Sequence, residues 1–134
     1  LNGCLGLLPD IGGQPLTIER ILGWVFSPIA FFIGVEWKDC GALGALLGKK
    51  MFLNEFLAYL DLKEMKESLS PRSFTLATYA LCGFANFSSI AMQIGGLSDL
   101  VPERRKEFAQ LGLKSMLGGT LAALMTACVA GVLI

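Results

Sequence analysis

From Ser73 to Ser98 the chain carries no Asp, Glu, Lys or Arg, and this run restricts the fold more than any other feature. Its 26 residues exceed the roughly 20 that a helix needs to cross a bilayer. Yet its centre, Gly83-Phe84-Ala85-Asn86-Phe87-Ser88-Ser89, is its most polar part, an amide and two hydroxyls just after a glycine. An unsatisfied polar group in hydrocarbon costs several kcal/mol, so these side chains must face protein, water or a ligand. Two readings are open. Asn86, Ser88 and Ser89 hydrogen-bond one helix to another, at about 0.6–2 kcal/mol apiece, or the span is interrupted at mid-depth to hold a substrate, as in transporters.

Composition agrees with a membrane setting. Of the 134 residues 54% are hydrophobic, mean hydropathy is +0.62, and only 16% are charged, against about 25% in soluble domains. Net charge is zero, which gives no reason to expect nucleic acid as a partner. Histidine, the commonest general base and metal ligand, is absent. Cys4, Cys40, Cys82 and Cys128 lie far apart in apolar surroundings and read as small structural hydrophobes. With no nucleophile–base pair, metal cluster or phosphate loop, the chain reads as no enzyme, with no catalytic residues and no cofactor.

The chain opens on Leu1, already inside an apolar segment, and reads as a piece of a longer protein. Residues 1–8 suit the end of a transmembrane helix, and Gly12-Gly13-Gln14-Pro15 breaks it. Thr17 starts a helix over 17–35 whose uncharged run, Ile21 to Val35, is only 15 residues long and contains Pro28. With Trp24 and Trp37 near its ends it is expected to lie in the headgroup interface, a kinked span being the alternative. The short apolar pieces over 37–62 suit a re-entrant hairpin with Asn54-Glu55 near its tip, since irregular backbone survives at membrane depth only inside protein or along a cavity. Asp61 to Arg72 reads as a charged loop, closed by Pro71 in the first turn of the next helix. Residues 73–97 form the broken transmembrane helix, ended by Gly95-Gly96. A last transmembrane helix occupies 107–134, where Ser115 to Ile134 are 20 uncharged residues. In it two small-residue stripes, Gly118-Ala122-Thr126 and Gly119-Ala123-Ala127, are set for close packing. The positive-inside count is close, with Lys63, Lys66 and Arg72 on one side of the broken helix and Arg104, Arg105 and Lys106 on the other. The denser second cluster favours that connector as the cytoplasmic one.

Leu53-Asn54-Glu55-Phe56, Leu69-Ser70-Pro71-Arg72, Gly83-Phe84-Ala85-Asn86-Phe87-Ser88-Ser89-Ile90 and Pro102-Glu103-Arg104-Arg105 occur together and in this order. On these stretches the chain resembles the C-terminal part of the concentrative nucleoside transporter family over essentially its whole length. The resemblance implies an all-α membrane protein built from an interfacial helix, a re-entrant helical hairpin, a discontinuous transmembrane helix and a final transmembrane helix. These would form the C-terminal portion of an inverted-repeat transporter. It further implies a multi-pass protein of the cell membrane, a homotrimer embedded in the lipid bilayer, that moves purine or pyrimidine nucleosides. Coupling would be to Na+ or H+, with the cation bound outside this segment and no metal held within it. Carried over by position, Glu55 resembles the hairpin glutamate that binds ribose hydroxyls, Asn86 and Ser89 the ribose-binding pair on the broken helix, and Phe84 the aromatic residue beside the base. Asn54, next to Glu55, is a further substrate-binding candidate.

These residue types fit a nucleoside. An ionised Glu55 can accept from two adjacent hydroxyls, each bond to a charged group being worth roughly 1.5–3 kcal/mol. Asn86 and Ser89 both donate and accept, and Phe84 offers an apolar face to a flat base. A cation-coupled nucleoside symporter is therefore expected, this chain supplying the ribose-binding half of the site. The alternative is a nucleoside-binding membrane sensor or assembly subunit that transports nothing.

Overall fold

The computed structural model describes residues 17–134, so the expectations for 1–8 and for Gly12–Pro15 lie outside the described residues. Within them the chain is helical: α1 (Ile18–Phe32), α2 (Trp37–Phe52), α3 (Glu55–Glu64), α4 (Pro71–Leu81), α5 (Phe87–Leu100), a 3₁₀ turn (Pro102–Arg104) and α6 (Arg105–Leu133).

Helix α1 begins where Thr17 caps it, the Thr17 hydroxyl accepting from the Arg20 N–H at 3.3 Å. It runs on through Pro28 and ends at Phe32, and the chain turns at Gly34, whose φ of 92° favours a residue without a Cβ. The chain then doubles back, α1 and α2 meeting at 118°. Small residues let the two approach. A methyl added at Gly44 would come within 2.5 Å of the Gly23 carbonyl oxygen, and one at Gly48 within 2.5 Å of Leu22 Cβ.

Helices α2 and α3 form a hairpin that turns at Leu53–Asn54. An ion pair between Lys49 and Asp61 ties its arms. Asp39, at the hairpin's base, accepts from the Ser70 N–H at 3.2 Å. Nearby, in the connector before α2, Glu36 has its carboxyl held below the usual value, chiefly because Lys38 donates to it, with Ser70 helping.

The segment 61–72 is shorter as a loop than its charges suggested. Helix α3 continues to Glu64 and α4 already starts at Pro71, its N-terminus capped by the Ser70 hydroxyl. Arg72 instead reaches across to α6, donating to the Gly131 carbonyl at 2.6 Å and to the Ile134 carbonyl.

Helix α6 packs on both halves of the broken helix, α4 and α5. With its 3₁₀ turn it is 32 residues long and contains an 18-residue stretch of mean hydropathy 1.9, the one described helix long and apolar enough to cross a membrane by itself. Its two stripes part company. Ala123 and Ala127 are buried, and a methyl at Gly119 would stand 3.1 Å from that of Ala85. Gly118, Ala122 and Thr126 face outward and pack on nothing described. The expectation that Gly95-Gly96 ends the second half-helix is also corrected, because α5 passes through both to Leu100. Where no water replaces a lost backbone hydrogen bond, the helical ladder is kept through glycine.

Candidate functional site

Between Leu81 and Phe87 the long apolar segment gives up its helix. The C-terminal carbonyls of α4 and the N-terminal N–H groups of α5 then need other partners, and the hairpin supplies many of them. At the end of α4 the Tyr59 hydroxyl donates to the Thr78 carbonyl at 2.8 Å, and the Cys82 N–H turns back to Tyr79 at 3.1 Å. The Lys50 ammonium donates to the carbonyls of Ala80 and Cys82, both at 3.0 Å. Gly83 follows with φ 97°, letting the backbone turn away.

At the start of α5 Asn86 is the cap. Its Oδ1 accepts from the Ser89 N–H at 2.7 Å, while its Nδ2 donates to Glu55 Oε2 at 2.9 Å. Asn86 is wholly buried, so both ends of its amide are spoken for. Glu55 stands in the first turn of α3, and Asn54 caps that helix by accepting from the Leu57 N–H at 3.0 Å. Two helix N-termini thus converge on one carboxylate, and their partial positive charge suits its negative charge. The hairpin tip is held down further by Phe52 against Phe87, ring centroids 5.5 Å apart.

Of the residues expected from sequence, Glu55 and Asn86 are brought into contact. Ser89 lies on the first turn of α5, half-buried, and reaches Asn86 through its backbone. Phe84 projects from the break with 73% of its surface exposed, free to meet a ligand. Asn54 is committed to its cap, which leaves its NH₂ as the group that could face a ligand.

Lys50 was missed. It is 3% exposed, and in the sequence nothing separates it from its neighbour Lys49. The signal was its place, five residues before Glu55 among apolar neighbours, where a buried charge demands a partner.

A helical unit whose hairpin tip sits at the break of a discontinuous helix, with a long apolar helix packed on both halves of that helix, is the architecture of a membrane transporter. Comparison narrows that class. Residues 1–131 match the family described as Na+ dependent nucleoside transporter C-terminus, and the chain belongs to that family. It is 48% identical over 134 residues to the uncharacterized transporter YutK of Bacillus subtilis, covering 100% of this chain and 32% of that protein. Sodium/nucleoside cotransporter 1 of Mus musculus is 44% identical over 149 residues, covering 99% of this chain and 23% of that one. The chain therefore spans about a third or less of these relatives. Among solved structures, CNTnw in an inward-facing substrate-bound state is 45% identical with a TM-score of 0.81, over 87% of this chain and 29% of that chain. A variant of CNTnw in an outward-facing state gives 44% and 0.82, over 90% and 30%.

Proposed function

We propose that the complete protein is a nucleoside symporter of the cell membrane, in which this chain supplies the ribose-binding half of the site. The observation that carries the reading is the 2.9 Å bond from Asn86 to Glu55, which places an amide and a carboxylate side by side at the hairpin tip. One Glu55 oxygen is engaged by Asn86, and the carboxylate keeps acceptor capacity for ribose hydroxyls. The Ser89 hydroxyl serves the same sugar from one turn along α5, and Phe84 lies beside the base. Na+ is the coupling ion suggested by the names of the family and of the mouse relative, with H+ as the alternative, and the cation binds outside this segment. The assembly we expect is a homotrimer in the bilayer.

The test is uptake of labelled uridine and adenosine into proteoliposomes holding the full-length protein, with and without a Na+ gradient. Glu55→Gln keeps the shape and the bond from Asn86 but removes the charge. It is expected to lower uptake about ten- to a hundredfold, the equivalent of one charged hydrogen bond. Wild-type uptake by the variant would remove Glu55 from the site. Binding without accumulation against a gradient would make the protein a sensor instead.

A further inference from the structure

The break between α4 and α5 makes two unlike ends, and both are met by charges from one hairpin. Glu55 faces the N-terminal end of α5 through Asn86. Lys50 faces the other end, its ammonium 3.0 Å from the Ala80 carbonyl and 3.0 Å from that of Cys82. Backbone carbonyls at the unwound C-terminal end of a half-helix are the ligands with which transporters hold small cations. Here a cation is already present, and it is covalently attached.

We propose that Lys50 is a tethered replacement for a bound cation. Its ammonium permanently fills the carbonyl site opened by the helix break, so this half of the protein recruits no ion from solution. Emptied of its side chain, the same site accepts a small free cation. A cavity of about 300 Å³ lies beside it, lined by Lys50 and Thr120 but otherwise by apolar side chains such as Phe26, Leu47, Met51 and Leu121. The buried hydroxyl of Thr120, on α6, has no hydrogen-bond partner among the described residues. The Lys50 side chain lines this cavity and ends on the two carbonyls. Lys50 touches no substrate in this scheme and acts by holding the hairpin tip and the break together, as a positioning residue. Only the uptake readout rests on the nucleoside-transport reading.

The experiment uses the purified full-length protein in choline buffer, comparing wild type, Lys50→Ala and Lys50→Met. Alanine leaves room for a cation, and methionine fills it with apolar atoms. Lys50→Ala is expected to melt earlier than wild type and to regain about 5 °C or more on adding ethylammonium, by mass action on the folded state. Tetramethylammonium, too broad for the carbonyl pair, should not act, and neither wild type nor Lys50→Met should respond to either ion. In proteoliposomes, uptake by Lys50→Ala should fall at least about tenfold and recover with ethylammonium alone. The proposal is overturned if Lys50→Met equals wild type in stability and uptake, or if Lys50→Ala responds to ethylammonium no differently from wild type. Failure of Lys50→Ala to accumulate even when produced with ethylammonium overturns it as well, since the emptied site would then accept no cation. A wild type that binds or moves no nucleoside would sink the functional reading instead, and the melting arm would still decide the role of Lys50.

Discussion

The broken helix and α6 are both apolar helical segments long enough to cross a bilayer, and they keep their backbone polar groups satisfied by opposite means. Helix α6 runs 29 residues without interruption. Apart from its C-terminal end, where Arg72 meets the carbonyls, its backbone hydrogen bonds are internal. Along its length its neighbours need only shape, which Ala123 and Ala127 provide by being small. The α4–α5 segment stops at Leu81 and resumes at Phe87, and around the gap hydrogen-bonding side chains take over: Tyr59, Lys50, Asn86 and Glu55. Three of these four come from the hairpin. Giving up a turn of helix in a water-poor place thus creates a demand for polar partners, and meeting that demand assembles a candidate binding site.

Variants of the full-length protein can break this contrast. The largest effect is expected at Asn86, where Asn86→Ala removes both the cap of α5 and a donor to a carboxylate. The combined loss of about 2–4 kcal/mol should appear as an uptake defect of thirtyfold or more together with a lower melting temperature. Enlarging Ala127 to Leu should cost about 1–3 kcal/mol of stability, because the residue is fully buried against its neighbours. The same enlargement at the outward-facing Ala122 should change the melting free energy by less than about 0.5 kcal/mol. A large effect there would mean that this stripe packs against another part of the complete protein. Tyr59→Phe is the mildest, leaving the Thr78 carbonyl without its hydroxyl donor and costing about 1 kcal/mol by thermal melting. A silent Tyr59→Phe would leave Lys50 as the hairpin's polar hold on the C-terminal end of α4.

Much of this was legible in the residues. The polar centre of an uncharged run announced a helix that must either be glued or broken, and the short apolar pieces on either side of Asn54-Glu55 announced a hairpin. Glu55 and Asn86 were marked as partners of one ligand through the family resemblance, and the structure puts them in contact with each other. Other features were not legible. Gly95-Gly96 looks like a helix end, and only the packing of α5 along α6 shows that the ladder continues. Arg72 looked like the edge of a wet loop, whereas it caps the C-terminal carbonyls of α6, more than fifty residues away in sequence.

What the order of residues determined alone was the local chemistry: which stretches are apolar enough for a membrane, where helices are capped, and where an apolar run turns polar. These follow from composition and short-range periodicity, which act over a few turns of chain. The tertiary structure decided which end of the break each charge would serve. Lys49 and Lys50 are adjacent and identical in type, yet one pairs with Asp61 across the hairpin and the other is buried against the carbonyls of α4. A step of one residue turns a helix by about 100°, so the facing of α2 toward its neighbours separated two roles that the sequence left equivalent.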